Sequence, residues 1–280
     1  MKSIMEESVM DVIDNNYGKL FLAEKKVVDI VLQQPQEVVN MNVKELAKAS
    51  GVSDATVVRM CHHIGYQGYY QFRIMLAKDL GREQIVQTEK AKDDSRISSI
   101  FKEYVEQIIS IGENMDEKMV EECVDLIKSC QQAHIIAVGN TAPLAQYMGF
   151  RLGRLGVKCT FNISAEYFMN HVNLAGDEEI IIAISQSGTS KMIVEGMHLA
   201  QEKGMKSIAI TAYRHSEVAE LADYTLLSNS AKKSFDYYKN YAHLNETAII
   251  DMLLELLLNQ ERIFEKDADK PEIIMAESKY

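Results

Sequence analysis

The segment "EIIIAISQSGTS" (residues 179–190) places a run of apolar residues directly before a loop rich in hydroxyl side chains. The apolar run is typical of a buried strand in a parallel sheet, and the following "KMIVEGMHLAQEKG" (191–204) has apolar residues at helical spacing. A helix N-terminus offers unpaired N–H groups and the positive end of the helix dipole, which together favour anions. The loop therefore predicts a phosphate site that uses Ser185, Ser187 and Ser190, with Gly188 allowing close approach of the backbone.

Four further segments have the same apolar character, and helical or loop segments separate them. They are "HIIAVG" (134–139), "KCTFNI" (158–163), "KSIAITA" (206–212) and "YTLLSN" (224–229). Strands that alternate with helices predict a parallel sheet covered on both faces. We expect a doubly wound α/β fold with five strands in the order 2-1-3-4-5. Helices are predicted over 97–112 and 116–130 before the sheet, and over about 241–264 after it.

Ligands of doubly wound sheets bind beyond the carboxyl ends of the strands, where the strand order reverses. In the expected order this point lies between strands 1 and 3, which end in "GNTAP" (139–143) and "SQSGTS" (185–190). The first loop adds Gly139, Asn140 and Thr141 to the expected site. Neither a Walker loop nor a dinucleotide-binding glycine pattern is present in the sequence, so we expect no nucleotide cofactor. Ordinary loop capping remains the alternative for Ser185 and Ser187.

The first 80 or so residues have helical periodicity and no convincing strand. Within "VKELAKASGVSDATVVRMCHHIGY" (43–66), Leu46 and Ala47 face inward on one helix, Gly51 makes a tight turn, and Val57 and Met60 form the buried stripe of the next helix. This arrangement predicts a helix-turn-helix. A plain helical bundle with an accidental turn is the alternative. In a preceding segment, "LAEKKVVDIVLQQ" (22–34), we expect four residues on one buried side: Val27, Val28, Val31 and Leu32.

The second helix of this pair is the part that reaches base edges in a helix-turn-helix. Ser53 is a good N-cap, which leaves the N-terminal half of the helix exposed. The expected DNA-contacting residues are Lys44, Ser53, Ala55, Thr56, Arg59 and Tyr66. Local charge agrees, because 43–82 contains six basic and three acidic residues, a surplus of three, although the whole chain is acidic. His62 and His63 are adjacent on a helix and point in different directions, so we expect no metal site there.

Composition limits the remaining possibilities. With 41 acidic and 30 basic residues, the surface as a whole repels polyanions, so nucleic acid must meet a local basic face. The four cysteines form no C-x-x-C pair and indicate a reduced, cytoplasmic protein. No apolar run approaches the length that spans a bilayer. We expect a helix-turn-helix domain over 1–81, a connector over 82–96, an α/β domain over 97–264 and a tail over 265–280.

These two motifs resemble known domains. "ISQSGTS" together with "VGNTA" resembles the sugar isomerase (SIS) domain, and "KELAKASGVSDATVVRMCHHIGYQGYYQFR" resembles the N-terminal domain of the RpiR-type bacterial transcription regulators. The resemblance implies a regulator that binds DNA and a phosphorylated sugar. It implies phosphate binding by Thr141, Ser185, Gln186, Ser187 and Ser190. This sequence differs in having "GNTAP" in the first loop and Ser190 where threonine is usual, so the identity of the sugar is not implied.

An enzyme is the main alternative to a sensor. Aldose–ketose isomerisation needs a general base beside the reacting carbons, and Glu166, Glu246, His171 and His243 are candidates. Glu246 also counts among the expected ligand contacts. For each of the four candidates, an ordinary structural role is the alternative. Because the attached DNA-binding domain favours sensing, we expect no catalytic residue. A protein-interaction module is a third class of function, which leaves both hydroxyl-rich loops unexplained.

The apolar helix "YAHLNETAIIDMLLELLLNQ" (241–260) suggests a homodimer or homotetramer.

Overall fold

The structure is a computed structural model. It describes residues 7–88, 96–162, 164–229 and 243–258, and residues 273, 274 and 276 near the C-terminus. The described chain separates into two compact units that meet in sequence between residues 96 and 97. No helix in these described ranges is long and apolar enough to cross a membrane.

The first unit is helical. Its elements are α1 (Val9–Asn16), a 3-10 turn (Tyr17–Lys19), α2 (Leu22–Gln33), α3 (Pro35–Val38), α4 (Val43–Ser50), α5 (Asp54–His63) and α6 (Tyr69–Thr88). Pro35 stands at the N-terminus of α3, where its missing N–H and fixed φ fit the first turn. Helix α6 extends into the predicted connector, whose residues 89–95 lie outside the described part of the chain.

Apolar side chains from all six helices form the core of this unit. Val27, Val28 and Val31 of α2 are fully buried, as their helical spacing predicts. The same prediction is wrong for Leu32, which is 41% exposed. At about 100° per residue, Leu32 lies about 40° beyond Val28, so it stands at the edge of the buried stripe rather than at its centre.

The second unit begins with α7 (Arg96–Glu113) and α8 (Glu117–Ser129) and continues as an α/β fold. The remaining elements are β1 (Ala133–Ile136), α9 (Ala142–Arg154), β2 (Cys159–Asn162), α10 (Ala165–Leu174), β3 (Ile180–Ile184), α11 (Lys191–Glu202), β4 (Lys206–Thr211), α12 (Glu217–Leu221), β5 (Tyr224–Leu227) and α13 (Leu244–Leu258). The expected long C-terminal helix is thus confirmed over 244–258, and the rest of its predicted length lies outside the described residues.

The five strands form one parallel sheet in the order β2-β1-β3-β4-β5, which confirms the predicted order. Every residue of β3 is buried, because helices cover both faces of the sheet. One apolar cluster lies between the sheet and helices α8, α9 and α13, and a second lies between the sheet and helices α10 and α11. The loops after β1 and β3 therefore meet at the carboxyl edge, where the strand order reverses.

Candidate functional site

The turn between α4 and α5 has the geometry that the sequence predicts. Asn42 caps α4 by accepting from the N–H of Glu45, whose carboxylate accepts in return from the N–H of Asn42. Gly51 ends the helix at φ 63°, a left-handed conformation that glycine adopts without steric cost. The N–H of Val52 then donates to the carbonyl of Ala47 at 2.9 Å, which closes the helix and directs the chain into α5.

The N-terminal half of α5 presents a polar surface. The Ser53 hydroxyl accepts from the N–H of Thr56 at 3.3 Å and so caps the helix, as expected. Asp54, Ala55 and Arg59 are exposed. The exposed residues Lys44 and Lys48 of α4 add positive charge within the same helix-turn-helix.

The expectation that Thr56 projects from this surface is wrong, because its side chain is buried with only 7% exposure. Its Oγ1 lies 2.9 Å from the Ser53 hydroxyl and accepts from the Arg59 guanidinium at 3.2 Å. Thr56 stands three residues before Arg59 and therefore lies on the same side of the helix one turn below it. Its hydroxyl can orient Arg59 without itself reaching DNA.

Two further residues of this region are buried, one expected to contact DNA and one belonging to the local basic surplus. Tyr66 is 2% exposed and packs edge-on against Phe72, so it is a core residue rather than a candidate for DNA contact. Burial is also the main reason why the pKa of its phenol is raised far above the ordinary value. Arg73 was counted in the local charge surplus, but it is 4% exposed and donates to the carbonyl of Met41 at 3.2 Å. The positive face therefore depends on fewer residues than the sequence suggested.

The loop after β3 combines buried polar groups with the start of a helix. Ser185 is 2% exposed, and its hydroxyl has no hydrogen-bond partner within the described parts of the chain. The half-buried Ser187 accepts from the N–H and hydroxyl of Thr189 at 3.4 and 3.3 Å, which leaves its own proton for a ligand. Ser190 precedes α11 without capping it through its side chain. The first N–H groups of α11 consequently lack a side-chain acceptor from this residue.

Gly188 fixes the shape of this loop. Its φ is +61°, and a Cβ at this position would lie 2.0 Å from the Ser216 hydroxyl oxygen. Its N–H donates to the Ser185 carbonyl, and its carbonyl accepts from the N–H of Val218, both at 3.0 Å. The adjacent Gln186 carbonyl accepts from the Ala212 N–H at 3.0 Å. The loop is thus held against the chain that follows β4.

The loop after β1 lies beside this loop, and Thr141 joins the two. The Thr141 side chain is 6% exposed, and its hydroxyl lies 3.0 Å from the carbonyl of Ile184 at the end of β3 and 3.2 Å from that of Val138. A hydroxyl has one proton, so Thr141 cannot keep these contacts and also donate to a phosphate. Gly139, at φ +60°, and Asn140 are exposed at the rim of the site.

Glu246 reaches the same edge of the sheet from α13. Its carboxylate is 1% exposed and accepts from the Ser228 hydroxyl at 2.7 Å, just beyond β5. The N–H of Ser228 donates to the carbonyl of Thr211 at 2.9 Å, and the Thr211 hydroxyl lies 3.3 Å from the Gln186 carbonyl. A chain of polar contacts therefore links the β3 loop to Glu246. Sequence reasoning missed Thr211 and Ser228, although both stand where a predicted strand ends.

Of the other three candidates for catalysis, His243 lies beside Glu246, and Glu166 and His171 do not. His243 Nδ1 lies 3.7 Å from a Glu246 oxygen, whereas Glu166 is exposed on the first turn of α10. His171 stacks on His134, whose Nε2 is 2.7 Å from Glu179 at the amino end of β3. His171 therefore belongs to the edge of the sheet opposite the loops. Within the described ranges, no three His, Cys, Asp or Glu residues are grouped so that they could hold a metal ion.

Two family models match this chain, one over the helix-turn-helix and one over the α/β unit. Residues 7–83 match the helix-turn-helix domain of the rpiR family, and residues 126–259 match the SIS domain. A regulator of Thermotoga maritima described as an uncharacterized HTH-type transcriptional regulator is 26% identical, covering 97% of this chain and all of its own length. The HTH-type transcriptional regulator HexR of Pseudomonas aeruginosa is 29% identical, covering 76% of this chain and 74% of HexR.

Solved structures share the fold. The Vibrio vulnificus NanR protein, solved in complex with ManNAc-6P, has a TM-score of 0.79 at 20% identity and covers 97% of this chain and 98% of NanR. The sugar isomerase domain of an RpiR transcription factor from Sphaerobacter thermophilus has a TM-score of 0.51 at 18% identity, covering 65% of this chain and 96% of that domain. With an rpiR-type helix-turn-helix followed by a SIS domain on one polypeptide, the chain belongs to the RpiR-type transcriptional regulators.

Proposed function

We propose that this chain binds operator DNA through α5 and changes its affinity for that DNA when a phosphorylated sugar occupies the loops after β1 and β3. The observation that carries the ligand half of the proposal is the Ser185 hydroxyl, which is buried without a partner in the described chain. A buried hydroxyl that makes no hydrogen bond lowers the stability of the fold by about 1–3 kcal/mol. Its place beside the start of α11 supports a polar, anionic ligand at this point.

The phosphate contacts in this proposal come from the β3 loop. Ser187 can donate to a phosphate oxygen while it keeps both of its present contacts. Ser190, Gln186 and the backbone around Gly188 complete the cradle. Thr141 acts by holding the two loops together, and Asn140 reaches the ligand from the rim. That NanR was solved with ManNAc-6P supports a sugar phosphate as the class of ligand.

The DNA half of the proposal rests on the exposed part of α5. Arg59 carries a planar fork of donors that suits guanine or a phosphate, and Ala55 offers an apolar contact to a base. Lys44 and Ser53 lie where they can contact the sugar-phosphate backbone of DNA. A homodimer or homotetramer would present two such helices to an operator of inverted repeats, with half-sites about 34 Å or a multiple of that apart.

An aldose–ketose isomerase is the second candidate, because Glu246 is a buried carboxylate at the carboxyl edge of the sheet. Its 2.7 Å contact with Ser228 supports a structural role instead, and relatives of this chain are named as transcriptional regulators. We therefore propose sensing without turnover. Incubating the protein with common sugar phosphates and detecting no aldose–ketose interconversion would support this choice, whereas turnover lost in Glu246→Gln would contradict it.

The deciding experiment measures linkage between the two ligands. The sugar phosphate that raises the melting temperature of the full chain in a screen is titrated with and without saturating operator. We expect its affinity to change by a factor on the order of 5 to 150, and operator affinity to change by the same factor, because coupling is reciprocal. The unphosphorylated sugar is the control and should bind far more weakly. Equal affinities with and without operator would contradict the proposed regulation.

A further inference from the structure

The first turn of α13 carries a buried carboxylate that pairs with no lysine or arginine in the described ranges. This carboxylate belongs to Glu246, which is 1% exposed, and one of its oxygens accepts from the Ser228 hydroxyl at 2.7 Å. The other oxygen lies 3.7 Å from His243 Nδ1, which is too far for a hydrogen bond. Buried charges in proteins are normally paired, so one side of this carboxylate is open for a partner.

Polar atoms beside Glu246 are also without partners. Both ring nitrogens of His243 and the side-chain oxygen of Asn245 are buried and make no hydrogen bond within the described parts of the chain. The Asn245 oxygen and the Glu246 carboxylate are acceptors, and a neutral imidazole offers one acceptor more. The group that satisfies this end of α13 is therefore a donor, and a positively charged donor makes the stronger hydrogen bonds.

The packing of α13 on α9 places this first turn at the edge of the sheet that carries the loops. The Tyr147 hydroxyl of α9 donates to the Asp251 carboxylate of α13, and Arg151 lies 3.7 Å from the same carboxylate. These contacts lie between one and two turns beyond the start of each helix. Because α9 begins directly after the loop that follows β1, the start of α13 lies beside that loop.

Asn245 and Glu246 lie on the side of α13 that faces the sheet. Ile249 and Ile250 stand one turn later and belong to the apolar core between the sheet and helices α8, α9 and α13. Side chains four residues apart lie on the same side of a helix. The two polar residues therefore lie at the end of that core, at the carboxyl edge where the loops after β1 and β3 meet.

We infer that the ligand is a phosphorylated amino sugar whose free ammonium group binds Glu246. This inference rests on the proposed function, in which the β3 loop holds the phosphate. The two ends of the site then differ in chemistry, because donors at the start of α11 suit an anion and acceptors at the start of α13 suit a cation.

An ammonium group fits these acceptors better than the other groups that sugars carry. It has three N–H donors, which suffice for the open oxygen of Glu246 and the oxygen of Asn245 together. A sugar hydroxyl has one proton and no charge, and an acetylated nitrogen has one N–H and no charge. Each of these leaves one of the two acceptors unsatisfied and the carboxylate without a counter-charge.

The test compares three ligands that differ only in the group on one ring carbon: glucosamine 6-phosphate, glucose 6-phosphate and N-acetylglucosamine 6-phosphate. Each is titrated into the full chain near neutral pH by isothermal calorimetry. The corresponding galactose and mannose series are measured in the same way, so that the orientation of a ring hydroxyl does not decide the result. In the series that binds most tightly, we expect the amine to bind about 10- to 100-fold more tightly than the hydroxyl form.

Glu246→Gln removes the charge and keeps an oxygen that can accept from Ser228. The preference for the amine over the hydroxyl form should fall by about tenfold or more, because the ammonium loses its counter-charge. Asp251→Asn is the matched control, since it makes the same change about 7 Å further along α13, at a side chain that is 49% exposed. The control should keep the wild-type preference, and thermal unfolding reports whether both variants fold.

The outcomes separate this inference from the proposed function. If a hydroxyl or N-acetyl form binds as tightly as the amine in every series, the inference is overturned and the proposed function stands. An amine preference that survives Glu246→Gln would overturn the assignment to Glu246. If no sugar phosphate binds at all, the proposed function fails together with the inference. The comparison of ligands uses the wild-type chain, so it decides even if Glu246→Gln does not fold.

Discussion

The Thr141 hydroxyl lies 3.0 Å from the main-chain carbonyl oxygen of Ile184 and so links the loop after β1 to the end of β3. Replacing Thr141 with Val keeps the shape of the side chain and leaves the buried carbonyl without this donor. We expect the free energy of unfolding to fall by about 1–3 kcal/mol. Affinity for the sugar phosphate should also fall, because the two loops are no longer held in register. Urea denaturation and calorimetry measure the two effects.

Thr141→Ser is the matched control for this change. It restores a hydroxyl at the same position and should recover most of the stability and most of the ligand affinity. If Thr141→Val and Thr141→Ser were equally stable, the link to Ile184 would have no energetic role.

Ser187→Ala tests the proposed phosphate contact directly. The variant loses a donor to a charged oxygen, which is worth about 1.5–3 kcal/mol, or roughly a 10- to 100-fold loss of sugar-phosphate affinity. Operator affinity without ligand should stay close to wild type. Ser129→Ala is the control, because Ser129 is exposed on α8 and donates to the Asp125 carbonyl. Isothermal calorimetry showing equal ligand affinity for Ser187→Ala and wild type would remove Ser187 from the site.

Gly188→Ala tests the conformation of the β3 loop. The positive φ strains any L side chain, and the added Cβ would lie 2.0 Å from the Ser216 hydroxyl oxygen. We expect a loss of about 2 kcal/mol or more in stability, and loss of ligand binding. Gly153→Ala is the contrasting control, since nothing lies within 4 Å of its added Cβ in α9. It should leave stability unchanged or raise it by up to about 1 kcal/mol. Equal effects at the two positions would contradict the strained loop.

The sequence predicted a parallel sheet well because short apolar runs that alternate with helices are a local signal, and all five strands appear where those runs stand. It also placed Ser53 and Gly51 correctly, since capping and positive φ are local properties. It counted Thr56 and Tyr66 among the residues that contact DNA, and the structure buries both. Burial depends on which neighbouring helix covers a residue, and this is a tertiary property that spacing along one helix does not reveal.

Local patterning likewise could not distinguish the roles of the hydroxyl groups at the site. Thr141 and Ser187 both stand in hydroxyl-rich loops, yet one is committed to a main-chain carbonyl and the other keeps its proton. The link from Ser228 to Glu246 joins residues 18 apart across the end of the sheet. Such contacts become visible only when the strands are assembled.

Glu179 predicts a dependence of stability on pH. Burial alone would raise its pKa, but the Gly176 N–H and the His134 ring outweigh burial and hold the pKa below its ordinary value of 4.5. A carboxyl whose folded-state pKa is lowered stabilises the fold above its unfolded-state pKa, and this contribution is lost as pH falls through the folded-state value. Glu179→Gln should therefore be less stable than wild type at neutral pH, and the difference should shrink below pH 4.5.

Denaturation of both proteins from pH 7 down to about pH 3 measures this difference. Glu178→Gln provides a comparison at the exposed neighbouring position. Stability curves for Glu179→Gln and wild type that stay parallel across this range would show that the contacts of Glu179 with the Gly176 N–H and with His134 carry no charge-dependent energy.

The pair formed by Thr56 and Arg59 predicts how base recognition depends on a residue that is itself buried. Arg59→Ala removes the donor fork and should cost about 1–3 kcal/mol of operator binding and relax sequence preference. Arg59→Lys keeps the charge, so it should retain much of the salt-dependent affinity but not the preference for particular bases. Thr56→Val should resemble Arg59→Lys more than Arg59→Ala, because it leaves the guanidinium present but removes the acceptor 3.2 Å from it. Fluorescence anisotropy on operator and scrambled DNA at two salt concentrations separates these outcomes. If Thr56→Val discriminates between the two DNAs as well as wild type does, Thr56 does not orient Arg59 for recognition.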